Sequence, residues 1–249
     1  VRFGITDLEA DMNESGRMRV KCGMVAQYLV DDRHTLELAE DVFSHRRELK
    51  FEKSDLMIPA ILEERTELMK GEHQILRKAF TAGGIITVDC PSVKPWDTEH
   101  PIRYTCRVSL LKVGKVLDVQ EHKIGFRTVE FKADGFYLNG KKTFLRGLNR
   151  HQAFPHMGYA APESLQREDA RILKEELGCV AVRTSHYPQS QYFIDECDRL
   201  GLIVFTEIPG WQHIGGEAWK HQAVENTREM VRQYRNHPSI VLWGVRINE

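Results

Sequence analysis

Four polar clusters in the second half of the 249-residue sequence each follow or end an apolar run: Asn149-Arg150-His151, Arg183-Thr184-Ser185-His186-Tyr187, Glu207 and Asn248-Glu249. Carboxyl and imidazole groups move protons when their surroundings tune them, while guanidinium and carboxamide groups hold polar substrates. Each cluster therefore has the composition of part of an active site. To act together, all four must be carried to one place by the fold.

The apolar runs Thr143–Asn149, Cys179–Ser185, Leu202–Ile208 and Ser239–Ile247 read as strands, with helices between them. The first helix is expected over Pro162–Leu177, with Leu165, Ile172, Leu173 and Leu177 inward, Pro162 in the first turn and Gly178 as the cap. The second, Gln189–Leu200, turns Phe193, Ile194, Cys197 and Leu200 inward and stops at Gly201. The third, Glu217–Arg235, carries Val224, Thr227, Met230, Val231 and Tyr234. Continuous apolar strands alternating with helices imply a parallel sheet covered on both faces. Four strands and three helices make either the first half of a (β/α)8 barrel or a small doubly wound sheet. No G-x-G-x-x-G follows a strand, which weighs against a dinucleotide-binding sheet. In a barrel the C-terminal strand ends form the active face, and all four clusters fall there.

Up to about residue 136 the texture is different. Arg19–Val30, Thr35–Val42, Arg47–Phe51, Leu56–Leu62, Ile85–Asp89, Arg103–Leu111, Lys115–Gln120 and Thr128–Phe131 read as strands separated by polar turns, most simply a β-sandwich. The charged run Glu63–Glu67 reads as a solvated face. The fold class is thus α+β multidomain, an all-β region followed by half a barrel. Composition is that of a chain with a real core, at 41% hydrophobic and 29% charged residues. A net charge of −1 gives no electrostatic footprint for nucleic acid or an anionic membrane, and the apolar runs fall short of the roughly 18 residues of a membrane span. The five scattered cysteines form no C-x-x-C pair, which speaks for reduced thiols and a cytoplasmic location rather than a disulfide framework or zinc site. Val1–Asp11 shows no signal peptide.

Four stretches, DGFYLNGKKTFLRGLNRH (Asp134–His151), VRTSHYPQSQYFIDECDRLGL (Val182–Leu202), FTEIPGW (Phe205–Trp211) and YRNHPSIVLWGVRINE (Tyr234–Glu249), together resemble glycoside hydrolase family 2, the family of β-galactosidases, β-glucuronidases and β-mannosidases. VKPWDTEHPIRY and IGFRTVEF are similar to the immunoglobulin-like domain that precedes the family's barrel. The resemblance covers roughly residues 84–249 and implies a partial immunoglobulin-like sandwich over 84–136 and the first four β/α units of a TIM barrel over 137–249. Residues 1–78, an all-β segment, more faintly resemble the SPOCS-type domains of clostridial spore and envelope proteins.

The resemblance implies a retaining β-glycosidase acting on a terminal β-linked sugar, with Glu249 as acid/base and Asn248 on the sugar 2-hydroxyl. It places Arg183 near the nucleophile and His186 and His151 on the sugar pocket. Such an enzyme needs a second carboxyl roughly 5–5.5 Å away. The family's nucleophile lies on the seventh barrel strand, so the chain by itself is expected not to hydrolyse glycosides. Galactosidases read N-R-H-E where this sequence has Gln152, and supply a magnesium-binding glutamate where it has Trp211. His213 alone is a poor magnesium site, so no metal and no other cofactor is expected. Plainer roles stand beside these. Glu249 is an ordinary glutamate, His186 and His151 are satisfied polar groups, Glu207 only orients its neighbours, Arg183 pairs with Glu207, and Trp211 and Trp219 pack rather than stack on sugar. The rival function is a noncatalytic binding or envelope-associated protein carrying a relic half barrel. The sequence leaves the sugar and the oligomeric state open.

Overall fold

The computed structural model describes residues 2–12, 17–31, 34–38, 62–70, 73–81, 85–90, 93–112, 114–210 and 212–245. The strands expected at Arg47–Phe51 and at 56–61 lie outside the described residues, as do Trp211, Asn248 and Glu249. The chain forms two compact units, residues 1–93 with 104–124, and residues 94–103 with 125–249.

The first unit is built from β1 (Arg2–Met12), β2 (Arg17–Asp31), β3 (His34–Leu38), β4 (Leu62–Lys70), β5 (His73–Thr81), β6 (Ile85–Asp89), β7 (Tyr104–Lys112) and β8 (Lys115–Ile124). One antiparallel sheet is centred on the long β2. β1 pairs along one side of it, and on the other β3 takes Ala26–Asp31 while β6 takes Arg17–Lys21. The second sheet has the order β5-β4-β7-β8, and β1 lies against β7 and β8, so the two sheets face each other as a sandwich. Its strands come from both sides of residues 78–84. Leu68, Tyr104, Cys106, Val108, Leu110 and Ile124 are buried in it. Burial, with Cys90 nearby, pushes the Cys106 thiol up to about 12, which keeps it protonated and inert.

The second unit opens with a small antiparallel sheet, β11 (Lys141–Lys142), β10 (Gly135–Leu138) and β9 (Val129–Lys132). Four parallel strands follow: β12 (Gly147–Arg150), β13 (Ala181–Thr184), β14 (Ile203–Glu207) and β15 (Ile240–Gly244). Between them run α1 (Glu163–Arg171, continued as a π-turn over Ile172–Glu176), α2 (Gln191–Leu200) and α3 (Glu217–Tyr234). The strand order β12-β13-β14-β15 follows the chain without reversal. A doubly wound sheet reverses direction at a switch point, so the arrangement is that of a partial barrel. No helix among the described residues is long and apolar enough to cross a membrane.

Local chemistry explains the boundaries. β12 starts at Gly147 rather than Thr143. Phe144 is 83% exposed, and the Arg146 carbonyl is already taken by the Val180 and Ala181 amides. Gly147 itself admits no side chain, because a Cβ there would lie 1.8 Å from the Ala181 carbonyl oxygen. α1 buries Gln166, Ala170 and Leu173 and leaves Leu177 exposed, so its inward face is rotated from the expected one to deliver Gln166 to a buried arginine. α2 carries the expected apolar face, with Phe193, Ile194 and Cys197 fully buried. Ser190 caps its start by accepting from the Tyr192 amide at 3.3 Å. Gly201 ends it at φ +73. α3 buries Met230 and Tyr234 but leaves Val224 exposed.

Candidate active site

Parallel register places Asn149, Arg183, Phe205 and Leu242 side by side across the four strands. Side chains alternate between faces along a strand, so Glu207 rises on the same face as Phe205, one layer nearer the C-terminal ends. The concave face holds a cavity of about 230 Å3, lined by Leu145, Leu148, Asn149, Arg183, Phe205 and Leu242 among others.

At the strand ends Arg183 and Glu207 form a forked ion pair. Nη2 donates to Oε2 at 3.0 Å and to Oε1 at 3.1 Å, and Nε donates to Oε2 at 3.2 Å. His186 Nδ1 meets the same carboxylate at 2.8 Å from Oε1, and lies 3.2 Å from Arg183 Nη2. The Glu207 side chain is 3% exposed, against 20% for Arg183 and 16% for His186. A buried carboxylate so fully occupied orients its neighbours, and it aims a guanidinium and an imidazole at the strand ends. His151 stands further out. Its ring meets that of His186 at 5.4 Å, edge-on, and that of Tyr187 at 6.0 Å.

Arg150, from the first cluster, and Gln152, just after it, serve the frame instead. Arg150 points away from the concave face into the helix layer. It donates to Asp169 at 2.9 Å, Gln189 at 2.6 Å and Gln166 at 2.8 Å, and lies 4.0 Å over the Phe193 ring. Gln152 accepts from the Ser190 amide at 2.9 Å, holding the start of α2, while its own amide donates to the Tyr187 hydroxyl at 3.2 Å. The Tyr187 hydroxyl, also 3.4 Å from His151 Nδ1, is a hub; the sequence reading placed Tyr187 in the second cluster but gave it no role of its own. The S-H-Y-P run places it three residues beyond β13, and that spacing was the available signal.

Among the described residues, one group has the geometry to share a metal ion: Asp195, Asp198 and His237. It sits at the opposite end of β15, and hydrogen bonds already occupy the ligand atoms of Asp198 and His237. His237 Nδ1 meets Asp198 Oδ2 at 2.6 Å, and Asp198 Oδ1 accepts from the Ser239 amide at 3.0 Å. His213, in the loop after β14, packs edge-on against Trp219.

Comparison with known proteins fits this geometry. The sequence profile described as glycosyl hydrolases family 2, TIM barrel domain, matches residues 129–249, and that described as glycosyl hydrolases family 2 matches residues 8–127. The second match runs through the segment likened above to SPOCS-type domains, and that likeness finds no support. A β-galactosidase of Thermoanaerobacterium thermosulfurigenes is 56% identical over 157 residues, 63% of this chain and 22% of the relative. A β-galactosidase of Thermoanaerobacter pseudethanolicus is 57% identical over 155 residues, 62% of this chain and 21% of the relative. The apo structure of Bacteroides uniformis β-glucuronidase 3 superposes with a TM-score of 0.73 at 27% identity, covering 98% of this chain and 28% of that one. The chain thus spans about a fifth of the length of these curated relatives. With both profiles matched in order along nearly its whole length, and a sandwich followed by sequential parallel β/α units, the chain belongs to glycosyl hydrolases family 2.

Proposed function

We propose that this chain supplies the sandwich and the first four barrel strands of a retaining β-glycosidase that removes a terminal β-linked sugar, with a galactoside as substrate. The observation that carries this is the Arg183–Glu207–His186 cluster. Three charged or polar side chains from adjacent parallel strands are locked together at the C-terminal strand ends, the face where barrel enzymes do their chemistry. The two β-galactosidases at 56% and 57% identity support the galactoside. In this reading Glu249 protonates the leaving oxygen and later activates water, and Asn248 holds the sugar 2-hydroxyl. Arg183 faces the second carboxylate, which the rest of the barrel brings. His186 and His151 line the sugar pocket, and Trp211 contributes to holding the sugar. Because contacts that tighten in the transition state raise the rate most, Asn248 matters more for kcat than for KM.

The test is a chimera in which this chain replaces the matching part of the Thermoanaerobacterium β-galactosidase. Turnover of aryl β-galactosides is expected, with Glu249→Gln lowering it by roughly 10²–10⁴-fold. A folded chimera that turns over neither β-galactosides nor β-glucuronides would overturn the reading, as would turnover indifferent to Glu249→Gln. The chain alone is expected to be inactive on the same substrates.

A further inference from the structure

We propose that Tyr159 is the aromatic wall of an outer sugar subsite, taking the leaving-group side of the substrate, either a second pyranose or an aromatic aglycone. This rests on the β-glycosidase reading and deepens it.

The ring is 62% exposed, among the most exposed of the large apolar side chains, yet its backbone is tightly held. Phe154 and Gly158 exchange backbone hydrogen bonds at 3.0 and 2.9 Å, and the Met157 and Ala160 amides bond to Phe154 and Met157 carbonyls. His156 and Gly158 take left-handed conformations, at φ +67 and +58, to close this turn. The Tyr159 ring stands edge-on to Tyr187 at 5.4 Å, and burial together with a hydrogen bond to Tyr159 raises the Tyr187 phenol. Tyr187 in turn meets His151, and His151 meets His186.

From the buried Glu207, at 3%, and His186, at 16%, ring contacts lead out through His151 and Tyr187 to Tyr159 at 62%. The buried end carries the groups that suit a hydroxyl-rich sugar. The open end carries a ring backed on one side by Tyr187 and presented to solvent by a braced turn. An exposed aromatic fixed in this way is preorganised to cover the apolar face of a sugar, because little side-chain freedom remains to be lost on binding.

The experiment uses the full-length enzyme encoded with this chain, as wild type, Tyr159→Ala and Tyr159→Phe. KM and kcat are measured on a β-linked disaccharide, an aryl β-glycoside and the methyl β-glycoside of the same sugar. Tyr159→Ala is expected to raise KM for the disaccharide and the aryl glycoside about fivefold to tenfold, leaving the methyl glycoside within about twofold. Tyr159→Phe keeps the ring and is expected to behave as wild type. Equal loss on all three substrates, or no change on any, overturns the proposal. If the wild type cleaves none of them, the glycosidase reading has failed by itself. The subsite is then read directly by saturation-transfer NMR with the free disaccharide. Transfer from wild type and Tyr159→Phe but not from Tyr159→Ala upholds the wall, and any other pattern overturns it.

Discussion

Arg183→Ala removes the guanidinium from a carboxylate that is 3% exposed. Two unit charges about 4 Å apart attract by about 4 kcal/mol at an effective dielectric of about 20. Stripping one partner from a buried pair costs about 3–5 kcal/mol, because the remaining charge stays buried without compensation. Arg183 is one-fifth exposed, so water screens part of the interaction and about 3 kcal/mol is the expected loss. Glu207→Gln should cost less, about 1–2 kcal/mol, since the guanidinium left behind reaches solvent. All the described helices lie in the second unit, so urea unfolding followed at 222 nm reports on the unit that holds the pair. With a slope of about 2 kcal/mol per molar urea, Arg183→Ala should lower the midpoint by about 1.5 M. A shift under about 0.5 M for Arg183→Ala, or a Glu207→Gln variant equally or more destabilised, would refute the picture of a buried acceptor held by a donor that reaches solvent.

Other perturbations separate frame from site. Arg150→Ala should lose about 3–5 kcal/mol in the same assay, because it orphans Asp169, Gln166 and Gln189 around a side chain only 5% exposed. Gln152→Glu should stabilise by about 0.3–1 kcal/mol, since a carboxylate still accepts from the Ser190 amide and faces the positive end of α2. An unchanged or lower melting temperature would contradict it. Gly201→Ala should cost at least about 1 kcal/mol in thermal unfolding, because a Cβ there meets the Thr98 carbonyl oxygen at 2.8 Å on a backbone at φ +73. At His237 burial pulls the pKa down, but the charge and hydrogen bond of Asp198, with Asp195 behind, outweigh it and leave it raised. The stability from this pair is therefore fully present below about pH 6.5 and lost as pH rises through the raised value. Asp198→Asn should remove that slope from a pH series of urea midpoints.

The barrel half was legible because its signals are redundant. Each helix carries a periodic face, the first two also a glycine stop at Gly178 and Gly201, and each strand is a run of apolar residues ending in polar ones. The pairing of Arg183 with Glu207 was visible as a possibility, and register turned it into a contact. Arg150 was grouped with the site residues because its neighbours Asn149 and His151 are polar too. Which face a residue takes depends on a strand boundary known to one residue, and sequence reading does not give that precision. The polar Gln166 on the inward face of α1 was the trace left by Arg150 in the sequence. β1 was overlooked although Asp7, Glu9 and Asp11 alternate with Leu8, Ala10 and Met12, a period of two hidden by the density of acids. Gln152 was read as a lost charge, and its partner, the Ser190 amide, is 38 residues away, beyond any local pattern.

The two arginines at the strand ends show how narrow the tolerance of these strands is. Asn149 and Arg183 share one face and one level, while Arg150 and Thr184 share the other. Deleting a single residue within Gly147–Arg150 would swing Arg150 toward the cavity and Asn149 into the helix layer, stranding one charge in the wrong place and starving Asp169 of its partner. Insertions between His151 and Pro162 would leave both faces intact. A one-residue change of length is therefore far better tolerated in the loop that carries Tyr159 than inside these strand segments.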